Sequence, residues 1–102
     1  MDREVEFHPD AHAEVFEARA WYAERSSLAA DAFVHEVDLM MRRLIEGPER
    51  FPWHLSGTRR AVFPRFPYAV VYYVTDSLIL VLAIAHQRRR PDYWQRRRDG
   101  LA

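Results

Sequence analysis

Tyr68-Ala69-Val70-Val71-Tyr72-Tyr73-Val74, then Thr75-Asp76-Ser77, then Leu78-Ile79-Leu80-Val81-Leu82-Ala83-Ile84-Ala85 is the stretch that decides the fold. The first run is β-branched and aromatic, the three polar residues are turn formers, and the second run is apolar at every position. Together they predict a β-hairpin whose second strand is central and buried on both faces. Upstream, Arg59 to Phe63 reads as another strand, closed by a turn over Pro64 to Pro67. Val5 and Phe7 alternate with Glu4, Glu6 and His8, a fourth short strand of period two. Between them the spacing changes. Ala11, Val15, Ala18 and Tyr22 lie on one helical face after the helix openers Pro9-Asp10, with Glu14, Glu17 and Glu24 assigned outside it. Ser26-Ser27 offers an N-cap for a second helix carrying Ala30, Phe33, Val37, Met40 and Leu44 on one stripe. Gly47-Pro48 stops it, with Gly expected at C′.

The order is β-α-α-β-β-β. It predicts an α+β fold: a small, mainly antiparallel sheet with a helical hairpin on one face and the arginines on the other face or rim. At 102 residues the chain is read as one domain, 1–102, with an Arg-rich tail from about residue 87.

Composition excludes several classes. There is no cysteine, hence no disulfide framework, zinc ribbon or thiol nucleophile. The longest apolar run, Leu78 to Ala85, is far below the roughly 18 residues of a membrane span. Met1-Asp2-Arg3-Glu4 lacks the apolar run of a signal peptide, so a cytoplasmic protein is expected. His8 and His12 share a helical spacing but lack a third ligand, and no metal or cofactor is expected. The net charge of zero is a cancellation: residues 1–50 hold six Arg against twelve acids, residues 51–102 nine Arg against three. Every cation is Arg, which suits bidentate contacts with phosphate or carboxylate. The basic half therefore points to a polyanion or an acidic partner.

Several words, in order, resemble the RelE/ParE superfamily of toxins from type II toxin–antitoxin systems. They are Phe7-His8-Pro9-Asp10-Ala11, Trp21-Tyr22, Phe51-Pro52, Arg59-Arg60, the run Arg65 to Val74, and Ile84-Ala85-His86-Gln87-Arg88-Arg89-Arg90-Pro91. The chain looks closest to the ParE-like, plasmid-stabilisation branch. The resemblance implies a growth-inhibiting protein neutralised by a cognate antitoxin, in a toxin–antitoxin hetero-oligomer. It also implies one of two targets: DNA gyrase for ParE-like members, or ribosome-bound mRNA for RelE-like nucleases. A toxin-fold binding module without toxicity is the third reading, so whether the chain is an enzyme stays open.

RNA cleavage by 2′-hydroxyl attack needs a proton acceptor, a cation for the phosphorane and a proton donor. Arg60, His86, Arg88 and Tyr93 are the candidates for those roles. RelE-like nucleases resembling this chain carry Tyr-Arg-aliphatic-aliphatic-Tyr in the third strand. Here the word is Tyr68-Ala69-Val70-Val71-Tyr72, and alanine cannot hold a phosphate. Arg59, Arg65, Tyr68, Arg89, Arg90 and Trp94 are the candidates for contacts with antitoxin or nucleic acid. Arg59 and Arg60 are neighbours in a strand, so they point to opposite faces. Tyr93-Trp94 is either a stacking platform or a pair that folds back and pins the tail. Arg96-Arg97-Arg98 is expected to solvate the tail or to steer the chain electrostatically toward nucleic acid.

Overall fold

A computed structural model describes residues 3–100. The elements are β1 (Glu4–Phe7), α1 (Pro9–Ala23), α2 (Ser27–Glu46), β2 (Arg59–Val62), β3 (Tyr68–Val74), β4 (Leu78–His86) and α3 (Gln95–Asp99). Pro48–Arg50 and Leu55–Gly57 form 3₁₀ turns. The expected order stands, with α3 added inside the tail. Five residues without an apolar period give no helical signal of their own, so α3 depends on what it packs against.

Local chemistry sets the helix ends. His8 Nδ1 accepts the Asp10 backbone N–H at 3.1 Å and Pro9 opens α1. Ser26 Oγ accepts from Ala29 N at 3.2 Å and caps α2. Gly47 ends α2 with its N–H donating to Arg43 O, but its φ of −162° is extended rather than left-handed, so the expected C′ geometry is absent. The left-handed backbone instead falls on Ser56 (φ 56°) and Gly57 (φ 72°) in the second 3₁₀ turn.

The strands form one sheet in the order β1-β4-β3-β2. β1 runs parallel to β4, with Glu4 opposite Leu78 and Phe7 opposite Val81; the other two pairings are antiparallel. Thr75 Oγ1 accepts from Leu78 N at 3.0 Å and fixes the β3–β4 turn. β4 is central over its first four residues, as its unbroken apolar run requires. Between Val71 and Tyr72 the register skips a residue: Val71 faces Ala83, Tyr72 faces Val81, and Leu82 bulges.

Both sheet faces are covered. Against α1 and α2 pack Val70, Tyr72, Ile79, Val81 and Ile84, meeting Phe33, Met40 and Leu44. Tyr22, partly buried, packs against this core as its helical spacing predicts. On the opposite face Val71, Leu82 and Ala83 pack against Trp94 and Tyr93 of the tail. The bulge explains why the adjacent Leu82 and Ala83 both reach that face. Among the described residues no helix is long and apolar enough to cross a membrane.

Candidate functional site

The site begins where β1 ends. Beyond Val81 the outer edge of β4 has no neighbouring strand, because the chain turns into α1 after Phe7. An open edge leaves backbone donors and acceptors unpaired. Two side chains fill the gap. Glu14 Oε1 accepts the Ile84 backbone N–H at 3.1 Å, and Arg97 Nη1 donates to Leu82 O at 3.0 Å. A carboxylate from α1 and a guanidinium from α3 thus stand in for the missing strand.

The same two groups grip each other. Arg97 Nη1 donates to Glu14 Oε1 at 2.8 Å and Nη2 to Oε2 at 3.1 Å, the bidentate geometry that suits an arginine–carboxylate pair. Glu14 Oε2 also accepts from Tyr93 Oη at 2.7 Å and from Arg89 Nη1 at 3.2 Å. Five donors therefore converge on one carboxylate that is 8% exposed. Arg97 Nε also lies 3.7 Å from Asp10 Oδ2. Burial raises the Tyr93 hydroxyl pKa well above its ordinary value, and its hydrogen bond to Glu14 raises it further. Burial by itself would lower the Arg97 pKa; the Glu14 hydrogen bond and charge outweigh it and raise it. The clasp ties the tail to α1 and seats Trp94, 1% exposed, on the sheet.

These positions correct part of the sequence reading. Glu14 lies on the buried stripe, three residues after Ala11 and four before Ala18; that spacing was the signal that could have found it. Arg97 is clasped rather than solvated. Of the two readings of Tyr93-Trp94, the structure has the fold-back: Trp94 is an anchor because its indole fills the tail-face core. Tyr93 folds back with it, its ring under the Arg89 guanidinium at 3.6 Å.

The other candidates separate into groups. Arg59 donates to Glu49 O and Phe51 O at 3.1 and 2.7 Å and stacks over Trp53 at 3.7 Å, pinning the connector before β2. Arg60 lies on the other face, as strand alternation requires, and opens onto a cleft beside the tail. Arg65 is remote: its backbone N–H donates to buried Glu36 at the β2–β3 turn. His86 and Tyr68 are cross-strand partners with rings edge to face at 5.0 Å. His86 Nδ1 accepts the backbone N–H of Arg88, whose side chain is exposed.

Two clefts gather the remaining candidates. One, about 370 Å³, lies between α1 and the ends of β3 and β4, among Trp21, Tyr22, Tyr68, His86 and Arg89. The other, about 260 Å³, lies on the tail face among His54, Arg60, Arg90 and Trp94, again touching His86 and Arg89. His54 carried no sequence signal; the turn at Leu55–Gly57 brings it there. His8 and His12 do not pair as ligands: His8 caps α1, and His12 packs edge to face on Phe16 at 4.9 Å. Among the described residues no group of three or more His, Asp or Glu could hold a metal ion.

Comparison with known proteins agrees with this architecture. Residues 5–91 match the family described as the ParE toxin of type II toxin–antitoxin system, parDE. Toxin ParE2 of Mycobacterium tuberculosis, in strains CDC 1551 / Oshkosh and ATCC 25618 / H37Rv, is 28% identical over 93 residues, spanning 90% of this chain and 89% of its own. A solved chain from the chromosomal ParDE toxin–antitoxin system of P. aeruginosa superposes with a TM-score of 0.73 at 17% identity, covering 82% of this chain and 95% of that one. The superposition speaks for the fold, and the family match spans α1, α2, the sheet from Val5 onward and the first arginines of the tail. The chain belongs to the ParE toxin family of type II toxin–antitoxin systems.

Proposed function

We propose that this toxin arrests growth by inhibiting DNA gyrase through protein contacts, rather than by cutting mRNA, and that a cognate antitoxin neutralises it in the cytoplasm. The observation that carries the choice is Ala69. It is fully buried, opposite Ala85 and Val62, where RelE-like nucleases resembling this chain carry an arginine. The proton carriers weigh the same way. The Tyr93 hydroxyl is engaged by Glu14, and its raised pKa makes it a poor acid near neutrality. His86 Nδ1 is engaged by the chain itself. The acidic hairpin of α1 and α2 is the face we assign to the gyrase contact.

The antitoxin is assigned to the basic half. An acidic amphipathic segment matches the excess of arginine after residue 50 and the cleft beside Tyr68. Arg89 would supply a cationic contact at its rim, and Arg59, Arg65 and Arg90 belong to the same basic half outside that cleft. Expression of the chain without antitoxin, with growth, mRNA integrity and gyrase supercoiling followed in the same extracts, tests the target. Intact mRNA with trapped gyrase–DNA complexes is the expected result. Cleaved mRNA with normal supercoiling would overturn it in favour of the nuclease, and unchanged growth would leave only a binding module.

A further inference from the structure

The cleft beside the tail has an unusual charge balance. Its polar lining includes Arg60, Arg90, His54 and the Gln87 amide, and no carboxylate contributes. Arg60 rises half-buried from β2, and among the described residues its guanidinium has neither a hydrogen-bond nor an ion-pair partner; Arg90 is likewise unpaired. By contrast Arg89, which also lines the cleft, and Arg59, Arg65 and Arg97 outside it each find a carbonyl, a carboxylate or an aromatic ring. The floor is apolar, made by Val71 and Ala85, with buried Trp94 as one wall. Low-dielectric walls strengthen the attraction between a cation and an anion placed between them.

We infer that this cleft is a binding site for the phosphate group of a nucleic-acid backbone or a free nucleotide. A carboxylate is planar and one guanidinium can satisfy it. Here donors line the cleft from three segments, β2, the chain just after β4 and the tail, a spread that suits a tetrahedral anion with several acceptor oxygens. The site binds and neither makes nor breaks a bond. It does not rest on the gyrase reading, and gyrase is absent from its test.

His54 supplies a reporter. Burial lowers its pKa below the ordinary histidine value and the Arg60 charge lowers it further, against the nearby Pro91 backbone, which raises it. An anion held between His54 and Arg60 must push that pKa up.

The experiment is an NMR titration of the imidazoles of the full chain at constant ionic strength, with inorganic phosphate, adenosine monophosphate, a short single-stranded DNA and poly-glutamate as separate probes. Expected is a saturable rise of the His54 pKa with phosphate, while His35 on exposed α2 surface does not respond. Loss of one charge-assisted contact in Arg60→Gln or Arg90→Gln should weaken binding about tenfold. Arg90 is exposed and outside every strand and helix, so its variant keeps the test alive if Arg60→Gln fails to fold. Tighter binding of the oligonucleotide than of the monophosphate supports the site and identifies a backbone; the reverse supports it and identifies a nucleotide. Absence of a saturable shift, an equal shift at His35, unchanged affinity in folded variants, or saturation by poly-glutamate alone would overturn the inference.

Discussion

Glu14 carries more of this structure than any other polar side chain described here. It completes a strand edge, binds two guanidiniums and holds a tyrosine hydroxyl. Removing one partner of a buried pair leaves the other charge uncompensated, which costs about 3–5 kcal/mol. Glu14→Ala should therefore lower the denaturation free energy by about 3 kcal/mol, measured by urea unfolding; a loss under about 0.5 kcal/mol would refute the clasp. Tyr72 is the second such residue. Fully buried, it donates from Oη to Pro48 O at 2.5 Å, and burial pushes its pKa up to about 12. The folded chain thus keeps a proton that the unfolded chain loses near the ordinary value of 10.0. The contribution is full below pH 10.0 and is lost as pH rises towards about 12. Tyr93 acts in the same sense. Tyr72→Phe should cost about 1–3 kcal/mol at neutral pH, by orphaning the carbonyl, and should flatten the alkaline loss of stability. An unchanged alkaline slope in unfolding at several pH values would count against this.

At the scale of elements, two kinds of helix are present. α2 forms for local reasons: an apolar stripe over twenty residues and a serine cap. Ser26→Ala should cost about 1 kcal/mol in thermal unfolding and leave the fold intact. α3 has no such support. Five residues, three of them arginine, form a helix because Trp94 is buried and Arg97 is clasped. Trp94→Ala should cost about 3–5 kcal/mol and release the whole tail. Fast amide hydrogen exchange over residues 92–99, with β3 and β4 still protected, is the expected signature; continued protection of the tail would contradict the dependence.

The whole molecule separates its charges in space as it does in sequence. Acidic α1 and α2 cover one sheet face, and the arginine-rich tail covers the other. The two meet at Glu14, where α1 lends one carboxylate to the basic side. Binding of an acidic antitoxin to the basic side should weaken as salt is raised, through the association rate first, in stopped-flow measurements. A salt-independent association rate would place the antitoxin contact on apolar surface alone.

The hairpin from Tyr68 to Ala85, the two helices and the short first strand were legible because their hydrophobic period is local: each needs only its own spacing and turn residues. Family membership was legible in the order of those words. The halves' opposite charges were legible by counting, and so was the opposition of Arg59 and Arg60, which strand geometry dictates. The sheet order, with β1 parallel to β4, the bulge at Leu82 and the helix in the tail were decided only by tertiary structure. So were the clasp and both clefts. Glu14 and Arg97 are 83 residues apart, and nothing in either neighbourhood specifies the other. What brings them together is an open strand edge whose backbone groups must be satisfied once water is excluded, and that requirement exists only after the sheet has formed.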